Sequence, residues 1–91
     1  MYSYEIKPHL RETLNKLFKK NRICYEQIFK KIEEIINSNK ADHYKNLRSP
    51  LQHLKGVHIG HFVLVFSVNE TLKVISFENY KHHDEIYKNP Y

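Results

Sequence analysis

The sequence predicts an α+β fold in the order β-α-α-β-β-β, with a helical hairpin laid on a sheet. Three observations predict it. The N-terminus alternates apolar and polar residues, two amphipathic stretches follow across a short polar break, and the second half holds two β-branched, aromatic runs. At 91 residues the chain has the length of one small domain, read here as spanning 1–91. A domain of this size needs nearly all its large apolar residues for the core, which leaves little room for an internal cofactor pocket.

In "YSYEIK", Tyr2, Tyr4 and Ile6 alternate with Ser3, Glu5 and Lys7, the pattern of a strand with one face buried. Pro8 fits the first turn of a helix, where its missing N–H costs nothing. Leu10, Leu14, Leu17 and Phe18 follow at helical spacing, and "KKNR", with Asn21 inside it, suits a tight turn or cap. Cys24, Tyr25, Ile28, Phe29, Ile32, Ile35 and Ile36 form the stripe of a second helix, with Lys30, Lys31, Glu33 and Glu34 off it. That helix ends in "NSNKAD", whose side chains compete for backbone hydrogen bonds. The joint apolar face of the two helices needs a partner, and a sheet supplies one. "HFVLVFSV" (61–68) and "TLKVISFE" (71–78), separated by Asn69-Glu70, read as a β-hairpin. "LQHLKGVHI" (51–59) reads as a further strand that turns at Gly60-His61, and the closing "HDEIYKN" reads as a short helical turn.

The net charge of +5, with seven histidines not counted in it, suits an anionic partner such as nucleic acid or an acidic protein. Excess lysine that merely keeps the chain in solution gives the same charge, so the position of the basic residues matters. Cys24 is the single cysteine, which excludes an internal disulfide and fits a reducing, cytoplasmic setting. No apolar run approaches the roughly 18–20 residues of a membrane span, and the N-terminus lacks a signal-peptide pattern. Glycine-rich phosphate loops and Gly-x-Ser-x-Gly elbows are absent, which sets those enzyme classes aside.

Six histidines lie beyond residue 41: His43, His53, His58, His61, His82 and His83. Between 40 and 61 they mix with Lys40, Lys45, Arg48 and Lys55, and Asp42 is the only acid there. Helices on one face of a sheet leave its other face free to present such residues together. Histidine is the usual carrier of protons near neutral pH. RNA cleavage needs a base for the 2′-hydroxyl, an acid for the departing 5′-oxygen and cations for the charge gathering on phosphate. Two histidines with lysine or arginine supply all three without metal, and an exposed tyrosine can stack on a base or orient the phosphate. A structural role is the competing reading for each. His9 and His53 read as solvated, His61 as a turn neighbour, and Lys45 and Arg48 as plain surface charges. Tyr87 can simply pack the C-terminus onto the sheet. His58 projects opposite Val57 and Ile59 if its strand is regular. His82 and His83 are adjacent and in extended chain face opposite ways, so at most one enters a shared site. A metal site is the competing reading of so many histidines. Their spacings match no zinc motif, however, and the second cysteine of a finger is missing; "HHD" (82–84) can bind metal, but with adjacent histidines that face apart it does not read as a metal site.

The run "DHYKNLRSPLQHLKGVHIGHFVLVFSV", a following strand and then "YKHHDEIY" resemble the RelE/ParE superfamily of toxin–antitoxin toxins, in particular its YafQ-like and archaeal RelE branch. The likeness covers essentially the whole chain, most strongly from Asp42 onward. It implies a RelE-like fold, a helical hairpin on a small antiparallel sheet in the order found above. It also implies a ribosome-dependent mRNA endonuclease that works without metal or other cofactor. Such a toxin enters the ribosomal A site, touches ribosomal RNA there and cuts the codon by in-line attack of the 2′-hydroxyl, leaving a cyclic phosphate and a 5′-hydroxyl. An acidic, RelB-like antitoxin that wraps and blocks it agrees with the positive charge. His58 of "VHIGHF" matches the family's His-Ile strand motif, His83 its C-terminal histidine, and Tyr87 the aromatic four positions later. His43 is the candidate for the histidine that precedes the central strands. His61 stands near a place where the branch often carries an acid, which departs from the family pattern. The resemblance thus implies His58 or His43 as general base, His83 as general acid and Tyr87 as the positioner of the nucleotide. Lys45, Arg48, Lys55 and His61 would bind RNA. The alternative is a toxin of the ParE type, or an inactive relative, that acts by protein contact and would have no need of the histidines.

Overall fold

The computed structural model describes residues 2–86. Its elements run β1 (Ser3–Ile6), α1 (Pro8–Lys20), α2 (Arg22–Ile36), a 3₁₀ turn (Ala41–His43), β2 (Lys55–Ile59), β3 (Phe62–Asn69) and β4 (Val74–His82). The predicted order of elements is the observed one. In the sheet the strands lie β1-β4-β3-β2. β2, β3 and β4 are antiparallel neighbours, but β1 joins β4 in parallel, Ser3 opposite Val74, so the sheet is mixed rather than wholly antiparallel. A parallel pair needs a long crossover, and the helical hairpin is that crossover.

Asn21 makes the hairpin tight. Its backbone N–H closes α1 on the Leu17 carbonyl at 2.8 Å, and its side-chain oxygen caps α2 by accepting from the Cys24 N–H at 3.1 Å. Pro8 opens α1 as expected. Leu10 and Leu14 of α1 and Ile28, Ile32 and Ile35 of α2 bury against Leu64, Phe66, Ile75 and Phe77 of the sheet.

The opposite face of the sheet is not bare. Val63 and Val65 lie there in a second small core with Leu54 and Ile86, flanked by Leu47 and Leu51. Residues 47–54 and the turn after β4 therefore cover part of this face. Residues 63–66 of β3 are buried on both sides, which is why "FVLVF" does not alternate.

Two strands depart from their predicted bounds. β2 begins only at Lys55, because residues 48–54 form consecutive turns (Leu51 N–H to Arg48 O, Leu54 N–H to Leu51 O) that fold Leu51 and Leu54 into the second core. β4 starts at Val74 and runs on to His82. The turn before it is longer than Asn69-Glu70, since the Asn69 side chain accepts from the Leu72 N–H at 3.0 Å and Lys73 takes a left-handed conformation (φ 55°). Within β4 the pairing steps from Phe77 to Asn79, so Glu78 is the extra residue of a bulge.

At this hairpin end Glu70 accepts from the Tyr2 hydroxyl at 2.5 Å and from the Lys73 ammonium at 2.6 Å. Those two bonds, Lys73 first, hold the Glu70 carboxyl below the usual carboxylate range. A depressed carboxyl stabilises the fold above its unfolded pKa and loses that contribution as pH falls through the folded value. Glu70→Gln is therefore expected to lower the urea midpoint by a constant amount from neutrality to about pH 5, with the gap closing in stronger acid. Urea titrations of both proteins across that range would check it, and a gap that widens in acid would contradict it.

Candidate active site

A cleft of about 270 Å³ opens on the loop-covered face of the sheet. Its polar lining is His58, His83 and Arg48, and its apolar lining is Leu47, Val63 and Ile86, with Gly56 at its floor. The volume is below the roughly 300–1,000 Å³ of sites that enclose a small molecule. It suits a segment of a longer ligand that enters from outside.

Each wall follows from local structure. Val57 and Ile59 face the helices, so alternation turns His58 to the cleft, as predicted. Gly56 lets the 44–48 strap lie close. A Cβ there would stand 2.7 Å from a Leu47 methyl and 2.9 Å from a Val63 methyl. The Gly56 N–H bonds to the Lys45 carbonyl and the Leu47 N–H to the Leu54 carbonyl, which pairs the strap with β2 around Asn46 and Lys55. That pairing delivers Arg48 to the cleft rim. Gly60, with φ 64°, makes the turn from β2 into β3.

His83 is held from the other side. Its N–H bonds to the His61 carbonyl at 3.0 Å, and its Nε2 lies 3.2 Å from an Asp84 carboxylate oxygen, an ion pair whenever the imidazole is protonated. The rings of His82 and His83 are 4.7 Å apart, and His61 lies 6.3 Å from each. This corrects the expectation that His82 and His83 face apart. β4 ends at His82, and the chain turns there, with the Glu85 N–H on the His82 carbonyl, so strand alternation no longer applies. Phe62 stacks on Tyr80 at 4.9 Å and meets the His82 ring edge-on at 5.4 Å. The Tyr80 hydroxyl sits 3.3 Å from the Cys24 sulfur, and burial, with that thiol beside it, pushes its pKa up and keeps it protonated.

Two predicted site residues stand elsewhere. His43 is exposed beside Asp42 and near Glu70, at the other end of the sheet from His58. The 3₁₀ turn at Ala41–His43, which buries Ala41 in the helix-side core, sets its side chain there. Lys55 gives its three ammonium hydrogens to the carbonyls of Asp42 and Tyr44 and to the Asn46 side chain, at 2.8, 3.0 and 2.9 Å. It fastens the strap, and it stands outside the cleft lining. Lys55→Met is expected to cost about 1–2 kcal/mol, the modest value of partly solvated bonds to a charged group. Chemical denaturation would read the loss, and unchanged stability would show that the strap does not depend on it. Lys45 is exposed and shares the register of Gly56, and His61 lies beside His82 and His83, outside the cleft lining. Tyr87 lies outside the described residues.

Sequence reasoning passed over Lys81 and read Asp84 as a residue that faces water or supports the turn. Lys81 pairs with Val63, a cleft residue, and two-residue periodicity from the known strand β4 would have placed it on that face. Nothing in the spacing marked Asp84 as a partner of His83.

No family model matches the chain. It is 48% identical over 89 residues, 97% of its length and 93% of the other, to a protein of Methanocaldococcus jannaschii named "Putative toxin RelE4". The chain belongs to the RelE toxin family. A second relative, a Methanosarcina mazei protein of no stated function, is 46% identical over 96% of this chain and all of its own. Among solved structures, this RelE-family chain superposes on one from the RelBE2 toxin–antitoxin complex of Mycobacterium tuberculosis. The TM-score is 0.73 and the identity 15%, over 90% of this chain and 98% of that one. YafQ of Escherichia coli gives a TM-score of 0.67 at 13% identity, over 96% and 99%. These distant likenesses establish the RelE fold, with two helices on a four-stranded mixed sheet.

Proposed function

We propose that this member of the RelE toxin family is a ribosome-dependent mRNA endonuclease that cleaves by attack of the 2′-hydroxyl. The observation that carries the reading is the meeting of His58, His83 and Arg48 in one open cleft, from a strand, a turn and a loop. His58 takes the proton of the 2′-hydroxyl. The freed oxygen attacks the adjacent phosphorus, and the bond from phosphorus to the 5′-oxygen breaks. His83, ion-paired with Asp84 in its protonated form, gives its proton to that leaving oxygen. Arg48 stabilises the charge gathering on the phosphate, with Lys81 and the exposed Lys45 as further cations for the backbone. The products are a cyclic phosphate and a 5′-hydroxyl. Tyr87 is the candidate for holding the cut nucleotide. His43 and Lys55 have no part in this scheme.

The natural inhibitor is an acidic, RelB-like antitoxin, to which a net charge of +5 is complementary. The site of action is the cytoplasm, where ribosomes are; no helix among the described residues is long and apolar enough to cross a membrane. Primer extension on a translated message after induction tests the reading. Cuts in register with codons are expected. Growth arrest with intact message would replace the nuclease by a toxin of the ParE type that acts through protein contact.

A further inference from the structure

The turn that ends β4 brings together more than proton transfer requires. His82, His83 and Asp84 each supply a ligand-type atom within 4.8 Å of the other two. The Asp84 carboxylate stands between the rings, 3.6 Å from Nδ1 of His82 and 3.2 Å from Nε2 of His83. Two imidazoles that share a tetrahedral zinc, with bonds of about 2 Å, hold their ring centres roughly 5 Å apart. The centres here are 4.7 Å apart, so the pair needs little rearrangement. His61, from the turn before β3, lies 6.3 Å from both rings and outside this group of three. The side chains are 35%, 44% and 66% exposed, which gives an ion direct access from solvent. Imidazole with a carboxylate selects zinc, nickel or copper over magnesium or calcium, which prefer oxygen.

We propose that His82, His83 and Asp84 form a site for a zinc-class divalent ion, and that filling it removes His83 from proton transfer. The second half rests on the nuclease reading above. An ion on Nε2 of His83 occupies the nitrogen that faces Asp84 and displaces any proton it holds. The general acid is lost while the fold and the other cleft residues stay as they are. If the ion uses Nδ1 of His82, the local cost is the hydrogen bond which that nitrogen now accepts from the Asp84 N–H at 3.1 Å.

Zinc chloride titrated into the full chain, followed by calorimetry and by histidine imidazole resonances, tests the site. One ion per chain is expected, with the signals of His82 and His83 shifted and those of His9 and His53 unmoved. His82→Ala and Asp84→Asn should each weaken binding by more than about tenfold, the loss that even an outer-shell partner brings. Absence of binding, or affinity untouched by both substitutions, overturns the site. In a translation mixture, one equivalent of zinc should suppress cleavage by the unsubstituted protein and spare His82→Ala. Equal cleavage with and without bound zinc overturns the capture of His83. Calorimetry reads the site whether or not the chain cuts RNA, so failure of the nuclease reading and failure of the metal site are told apart.

Discussion

Alanine in place of His83 is expected to lower codon-linked mRNA cleavage by about 10²–10⁴-fold, the usual contribution of a positioned acid or base, and to abolish growth arrest. The fold should survive. The side chain is 44% exposed, so its removal leaves no cavity, and its backbone bond to the His61 carbonyl does not depend on the ring. Circular dichroism and the melting temperature would therefore match the parent while primer extension loses its cuts. His58→Ala should fall by a similar factor, because base and acid serve the same displacement. His43→Ala should cleave normally, since His43 stands at the far end of the sheet. A folded, fully toxic His83→Ala protein would remove His83 from the mechanism, and an inactive His43→Ala protein would reopen the choice of base.

The second large effect is expected at Gly56, where no catalytic group is touched. A single added carbon already meets Leu47 at 2.7 Å and Val63 at 2.9 Å, and valine adds two methyls to that space. The overlap is relieved only if the 44–48 strap lifts off β2 or Val63 moves within the second core. Overpacking of this kind costs about 1–3 kcal/mol. Lifting the strap also breaks the bond from the Gly56 N–H to the Lys45 carbonyl and carries Arg48 away from the phosphate position. Gly56→Val should thus lose both stability and cleavage, and restoring the temperature margin with a stabilising core change should not restore activity. A variant with parental cleavage would show that Arg48 does not need this strap.

The helices and the central hairpin were legible because their signals are local. Proline at the start of α1, asparagine between the helices and the period of Ile28, Ile32 and Ile35 each act within a turn or two. The direction in which β1 pairs was not legible, since it depends on where two helices deliver the chain. The C-terminal extent of β4 was missed because "NYKH" is polar. Asn79 is nevertheless buried and the strand continues through pairing with Val65, Leu64 and Val63. At the site, His58 was readable from alternation and His83 from the family resemblance. His43 and Lys55 lie outside the cleft lining for the same reason. Both lie in a segment whose path is fixed by backbone carbonyls that collect around one ammonium, and residue type does not report such a path. The second core was half visible, since an unbroken apolar run such as "FVLVF" implies burial on two faces without saying what covers them.

The parallel seam between β1 and β4 fixes an order of events during synthesis. The helical hairpin is built from neighbours and forms early. Ser3 has no partner until Val74 leaves the ribosome, and the closure of so long a loop is among the slow steps of folding. The strand that completes the sheet also sets Lys81 opposite Val63 and leads into His83. A nascent chain therefore keeps Arg48 and His58 apart from His83 until β4 has been made, so the cleft cannot be complete before the sheet is.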